Sequence, residues 1–341
     1  MTEDDNIVKL PEYHNKEIYS SLSQSIDWGA KFLNIPNAWI KSRGEGITVL
    51  ILDTGCPAQK KDGKVIVHPD LAGNIILDQC KSFVPGEDIY DLNGHGTACA
   101  GVIGALDNSL GFVGYAPDCK IITYKVLSQN GSGMMYWIRR GLEAAIKLKP
   151  DIVSMSLGSP NPNGFVRDLI KKLDEMNIPV ICAAGNSGKS GVDYPAKYEE
   201  PFAIAAFDDN TKIADFSAVG DEVDFAFPGV NINTTWLNNG YTVISGTSFA
   251  CPACAGLVAL LLSKHKKQEA RGEGNDCRTT REIYAHLRKY AVNPENVGHD
   301  SHWGYGYIDI NKMFGTIDYT REPKSWFQRL WDKFKSLIHG K

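Results

Sequence analysis

The sequence predicts an α/β fold, a parallel sheet covered by helices on both faces. Three observations carry the prediction. Short β-branched apolar runs alternate with segments of helical period. The runs lack the strict polar alternation of a sheet with one wet face. Gly-rich turns close several of them, where open parallel sheets gather reactive side chains.

In chain order, "GITVLILDTG" (46–55) is an apolar strand ended by a turn. "HGTACAGVIGA" (95–105) places small and apolar residues at helical spacing, and "CKIITYKVL" (119–127) is a strand. "MMYWIRRGLEAAIKLKP" (134–150) is an amphipathic helix stopped by Pro150. "DIVSMSLG" (151–158) is a strand and "FVRDLIKKLDEMN" (165–177) a helix. "IPVICAAGNSG" (178–188) is a strand and turn, and "PFAIAAF" (201–207) a further strand. "SFACPACAGLVALLLSKH" (248–265) is a nearly all-apolar helix.

The 341 residues are 43% hydrophobic and 22% charged, enough for a sizeable core. A net charge of −4 gives no global attraction to nucleic acid or an anionic membrane. The acidic stretch "MTEDDNIVKLPEYHNKEIYS" lacks the basic start and apolar run of a secretion signal. The run "GLVALLLS" is too short to cross a bilayer. A soluble, cytoplasmic protein is therefore expected. Of the eight Cys, several sit inside apolar strand or helix patterns, so free thiols are expected.

Three element ends carry residues suited to nucleophilic catalysis. Asp53 ends a strand, His95 opens a helix after "DLNG", and Ser248 follows Gly246-Thr247 at the start of the apolar helix. An alcohol needs an adjacent base at neutral pH, and that base needs a carboxylate to fix its tautomer. Helix N-terminal N–H groups suit a developing oxyanion, and Asn186 in "AAGNSG" is a candidate side-chain donor to it. Each feature alone has a plainer reading: a helix N-cap for Ser248, a structural His, and "DTG" as the signature of an aspartic protease.

Together "VLILDTG", "DLNGHGTACAGVIGA", "SMSLGSP", "AAGNSG" and "ISGTSFACPACAG" resemble the motifs of the subtilisin-like serine proteases, in that family's order. The resemblance runs from about residue 24 to 316, ends in "GYGYIDINKMF", and is nearest to the intracellular subtilisins. It implies a three-layer subtilisin-like fold and a calcium-binding endopeptidase working through an acyl-enzyme. Asp53 would orient His95, His95 would act as general base and acid, and Ser248 would be the nucleophile. Asn186 and the Ser248 N–H would form the oxyanion hole. Phe249 stands where the family usually has Met, and Ala98-Cys99 where His-Val is common. Pro252 belongs to the family pattern, so "CPAC" reads as two small residues in a packed helix rather than a redox pair. A catalytically silent binding protein of the same fold and an aspartic protease remain the rival readings, with a "CPAC" oxidoreductase behind them.

The resemblance also implies that peptide or protein substrates pair with Ser156, Leu157 and Gly158 on one side and with Gly131 and Gly133 on the other. Asp193 falls at the floor or rim of the pocket for the residue before the cut. It either favours Lys or Arg there or pairs with Lys189 or Lys197. "ALDNSLGFVG" (105–114) is similar to a family Ca²⁺ loop. Its ligands would be the carbonyls of Leu106, Leu110 and Phe112 with the side chains of Asn108, Asp70 and Gln24. A second, weaker cation site would involve Ala196, Tyr198 and Asp208.

Residues 1–23 resemble the short extension that blocks intracellular subtilisins, with Leu10, Pro11 and Tyr13 as anchors, making the chain a zymogen. Residues 317–341 carry an aromatic stripe edged with basic residues. That stripe, at 325–339, would lie on a membrane surface, meet a partner or a dimer mate, or dock on its own domain.

Overall fold

The computed structural model describes residues 7–10, 12–20 and 23–315. Pro11 and the C-terminal stripe lie outside the described residues.

Seven parallel strands form the central sheet. Their order is Phe225–Pro228, Phe202–Phe207, Val180–Ala183, Ile152–Met155, Thr48–Asp53, Lys120–Lys125 and Lys81–Ser82. Side chains alternate between its faces. Val49 and Ile51 enter one core with Ile121, Ile152 and Ile181, while Leu50 and Leu52 enter a second with Ile122, Val153 and Val180. Both faces are dry, which is why these strands read as continuous apolar runs.

Helices His95–Gly104 and Thr247–Ala270 cover the first face, and helices Met135–Leu148 and Gly164–Glu175 the second. The latter two are amphipathic; Ile138, Leu142, Val166, Ile170 and Leu173 are buried. Thr247–Ala270 is long and apolar enough to cross a membrane, yet 89% of its apolar window is buried inside the protein. It is a core helix.

Several elements were not expected from the sequence. "AQKKDGKVI" is a hairpin pairing Ala58–Lys61 with Lys64–Val67 around Asp62-Gly63. Strands Ile232–Thr235 and Tyr241–Ser245 form a small antiparallel sheet, extended by His14–Tyr19. Helix Thr280–Lys289 opens with a reciprocal cap between Thr279 and Glu282. All eight cysteines are buried and free, Cys251 and Cys254 included, as expected for small hydrophobes.

Candidate active site

Asp53 is the last residue of its strand. Its Oδ1 accepts from the Thr54 N–H at 2.7 Å and faces His95 Nδ1 at 2.8 Å. Both side chains are fully buried. A carboxylate on Nδ1 holds the proton there and leaves Nε2 as the basic nitrogen.

His95 is the first residue of its helix, and its position is fixed by Asp91, a residue the sequence reading did not single out. Asp91 Oδ1 accepts from the Asn93 and Gly94 N–H groups and the Thr54 hydroxyl, each at 2.9 Å. Its Oδ2 accepts from the Thr97 N–H at 2.8 Å and hydroxyl at 2.7 Å. This carboxylate ties together the turn and the helix start, where negative charge is favoured. The signal was a carboxylate four residues before the imidazole. Gly94 has φ 104°, and a Cβ there would lie 2.6 Å from the Trp236 ring.

Ser248 is the second residue of the long helix. Its Oγ and His95 Nε2 are both buried, and neither has a hydrogen-bond partner among the described residues. The two residues share neighbours. Cys99 Sγ lies 3.8 Å from His95 Nδ1 and donates to the Ser248 carbonyl at 3.4 Å. The Phe249 ring, fully buried, sits 5.5 Å from the imidazole, centre to centre. The Ser156 hydroxyl donates to the Ser248 carbonyl at 2.8 Å. Asn186 Oδ1 accepts from the Thr247 N–H at 2.9 Å and hydroxyl at 2.7 Å. That pair orients the amide, so Nδ2 becomes a directed donor.

The Nδ2 donates to the carbonyl of Glu12, from the N-terminal segment. This segment runs through the cleft. Ile7–Lys9 pairs antiparallel with Ser132–Met134, placing Val8 opposite Gly133. Lys9 exchanges two backbone hydrogen bonds with Gly158, and the Leu10 N–H donates to the Gly131 carbonyl at 2.9 Å. Of the six expected substrate positions, Gly131, Gly133 and Gly158 meet the segment, and Leu157 is buried beside it. Val8, not anticipated as an anchor, is buried in one cluster with Met135, Ile138, Leu157 and Val166 and lines a small pocket with them. At 2% exposure it contributes about 2 kcal/mol of apolar burial. Tyr13 lies 5.2 Å from the His95 ring, and its hydroxyl donates to Asn93 Oδ1 at 3.2 Å. Burial, then the charges of Asp53 and Asp91, push the Tyr13 phenol up to about 12.

Asp193 lies under Gly158 and Gly185. A Cβ on Gly158 would sit 2.9 Å from its Cβ, and one on Gly185 2.6 Å from its Oδ2. It makes no ion pair among the described residues; Lys197 instead bridges Glu222 at 3.5 Å. Burial raises the Asp193 carboxyl above the usual carboxylate range.

The expected calcium ligands are also drawn together. The carbonyls of Leu106 and Leu110 and the Asn108 Oδ1 converge on the Gln24 amide nitrogen at 2.7, 2.9 and 3.4 Å. The Asp70 Oδ2 accepts from the Phe112 N–H at 3.3 Å, while its Oδ1 is buried without a partner. Burial pushes this carboxyl up to about 6. An orphaned carboxylate oxygen beside converging carbonyls fits a hard cation. At the suggested second site, Asp208 Oδ1 accepts from the Asn210 and Lys212 N–H groups of its own turn.

A dry seven-stranded parallel sheet between helical layers, with reactive residues at its strand ends, defines the three-layer subtilisin-like fold. Residues 44–306 match the model of the subtilase family, and the chain belongs to that family. It is 40% identical to a thermostable alkaline protease of Halalkalibacterium halodurans, over 72% of this chain and 65% of that protein. Subtilisin Savinase of Lederbergia lenta is 38% identical, over 71% of this chain and 86% of its own. An intracellular serine protease of Paenibacillus polymyxa is 34% identical, over 84% and 88%. The chain thus spans just under two thirds of the Halalkalibacterium relative's length.

Proposed function

We propose that this chain is a serine endopeptidase, with Asp53, His95 and Ser248 as its triad. The observation that supports the reading most is the buried Asp53–His95 bond beside two orphaned atoms, His95 Nε2 and Ser248 Oγ. Ser248 Oγ attacks the scissile carbonyl and passes its proton to Nε2. The imidazolium, steadied by Asp53, returns that proton to the leaving amine. Water then cleaves the acyl-enzyme by the same relay. Asn186 Nδ2 and the Ser248 N–H receive the oxyanion. Asp53 faces an imidazole rather than a second carboxyl, which speaks against an aspartic dyad. A fluorophosphonate probe is expected to label Ser248 alone, on a chain freed of residues 1–23. Labelling elsewhere, or none, overturns the reading.

Residues 7–13 act as an inhibitory strap in the substrate's place, which suits a protease working in the cytoplasm. The Glu12 carbonyl occupying the Asn186 amide supports this, because that donor is then closed to substrate.

Asp193 gives the enzyme a preference for Lys or Arg before the cut, since no cation partners it among the described residues. In Asp193→Ser, the ratio of kcat/KM for paired Lys and Phe peptides is expected to fall at least about tenfold. The native ratio is also pH-dependent. The carboxyl is charged above its raised pKa, so the Lys preference holds at high pH and fades as pH falls through it. Effects common to both substrates cancel in the ratio. A ratio that is flat in pH and unchanged by the substitution removes Asp193 from specificity.

Calcium is held by Gln24, Asp70, Asn108 and the carbonyls of Leu106, Leu110 and Phe112. When bound, it supplies the positive charge that pins this loop. At a hundredfold excess over Kd such an ion stabilises by about 2.7 kcal/mol. EGTA is therefore expected to lower Tm by about 5–10 °C, reversibly on adding calcium. Asp70→Asn should abolish the response; a response surviving that change places the ion elsewhere.

A further inference from the structure

Far from the catalytic cleft, three metal-ligating side chains come together between the end of the long helix and the helix Thr280–Lys289. They are His265, Cys277 and His286, whose ligand atoms all lie within 4.8 Å of one another. We propose that they form a binding site for a borderline-soft divalent cation, with Zn²⁺ the best match.

The strongest observation is the state of the ring nitrogens. His265 is 5% exposed, yet both its Nδ1 and Nε2 are buried with no hydrogen-bond partner among the described residues. His286 Nε2 is buried and unpartnered as well. A buried polar atom left unsatisfied costs about 1–3 kcal/mol, so an unpartnered nitrogen on each of two adjacent rings calls for a shared partner. Cys277 is 3% exposed and a free thiol. The imidazoles meet edge to face at 5.3 Å between centroids, and the Tyr290 ring closes the outer side of His286 at 5.1 Å.

The donor set selects the metal. Two imidazoles and one thiolate suit Zn²⁺ and exclude Ca²⁺ or Mg²⁺, which take oxygen. Tetrahedral zinc would draw the three ligand atoms to roughly 3.3–3.7 Å of one another, a closure of about an ångström. The fourth position goes to water. Gln268, one turn after His265 on the same helix, has a buried Oε1 without a partner and can accept from that water. On binding, the Cys277 thiol releases its proton to solvent and the sulfur bonds the metal as thiolate. Lys264 and Lys289 are the adverse neighbours, but the Lys264 Nζ is turned to the Met313 carbonyl at 3.1 Å and the Lys289 Nζ lies over the Tyr290 ring at 5.2 Å. Asp276, beside Cys277, opposes them electrostatically at both imidazoles.

The site would pin two helices across the loop 271–279. His265 stands about 25 Å along its helix from Ser248, so the metal has no part in the proposed chemistry. Co²⁺ titration of the full chain tests the idea. One equivalent is expected to bind with a thiolate-to-cobalt charge-transfer band, displaced by Zn²⁺. Cys277→Ser should lose the band, and His286→Gln should weaken binding at least about tenfold. His286 is partly exposed, so its variant remains informative if Cys277→Ser folds poorly. Asp53, His95 and Cys99 form a second close group, so the band must also survive Cys99→Ala. A band that is missing, that persists in Cys277→Ser, or that disappears with Cys99→Ala overturns the proposal.

Discussion

Replacing Ser248 by Ala is expected to lower kcat by about four to six orders of magnitude, the scale established for triad removal in subtilisin. KM should change little, because the strand edges at Gly131, Gly133 and Gly158, the proposed substrate-binding positions, would act independently of the hydroxyl. His95→Ala should cost about as much. The double variant should then cost little more than either alone, since the two residues act on one proton. Asn186→Ala removes a single oxyanion donor and should cost about 10²–10³ in kcat. It also frees the Thr247 N–H and hydroxyl from their acceptor, so Asn186→Asp, which keeps an acceptor oxygen and removes the donor, provides the control. Additive losses for Ser248 and His95, or a loss confined to KM, would mean that they do not work as a unit.

Removing residues 1–23 is expected to raise peptide hydrolysis by about a hundredfold. A tethered segment competes at an effective concentration near millimolar. A strap with an intrinsic Kd of about 10 μM therefore leaves roughly one cleft in a hundred open. Val8 supplies an independent check. Val8→Ala keeps the backbone pairing with Gly133 but removes part of the side chain from the pocket of Met135, Ile138 and Leu157. It should release activity partly, by about three- to tenfold. Unchanged activity in the truncated chain would show that these residues do not govern access.

Much of the site was legible because its chemistry is local. Asp53, His95, Asn186 and Ser248 each stand within two residues of a Gly at the end of an apolar element, so residue type and punctuation mark them together. The dry sheet was legible for a related reason: Val49 to Leu52 serve both faces, and continuous apolarity is the signature of that. What escaped depends on distant contacts. Asp91 looks like any loop carboxylate until folding brings Thr54 and Thr97 onto it. The strands Ile232–Thr235 and Tyr241–Ser245 mix Thr and Asn with apolar residues and give no clean period. Val8 sits in a polar terminal stretch, and only its pocket identifies it. His265, Cys277 and His286 are spread over two helices and a loop, with no motif spacing to join them.

The strap does not end in the cleft. After Tyr13 the same backbone continues as His14–Tyr19 along the edge of Tyr241–Ser245. On the inhibitory reading proposed above, blocker and blocked surface travel on one polypeptide, anchored downstream of the obstruction. Quiescence would then be a property of every individual molecule, indifferent to dilution and to how many copies a compartment holds. Were the peptide backbone upstream of that anchor severed, nothing would restore the local excess of blocker, and the awakening would run in one direction only.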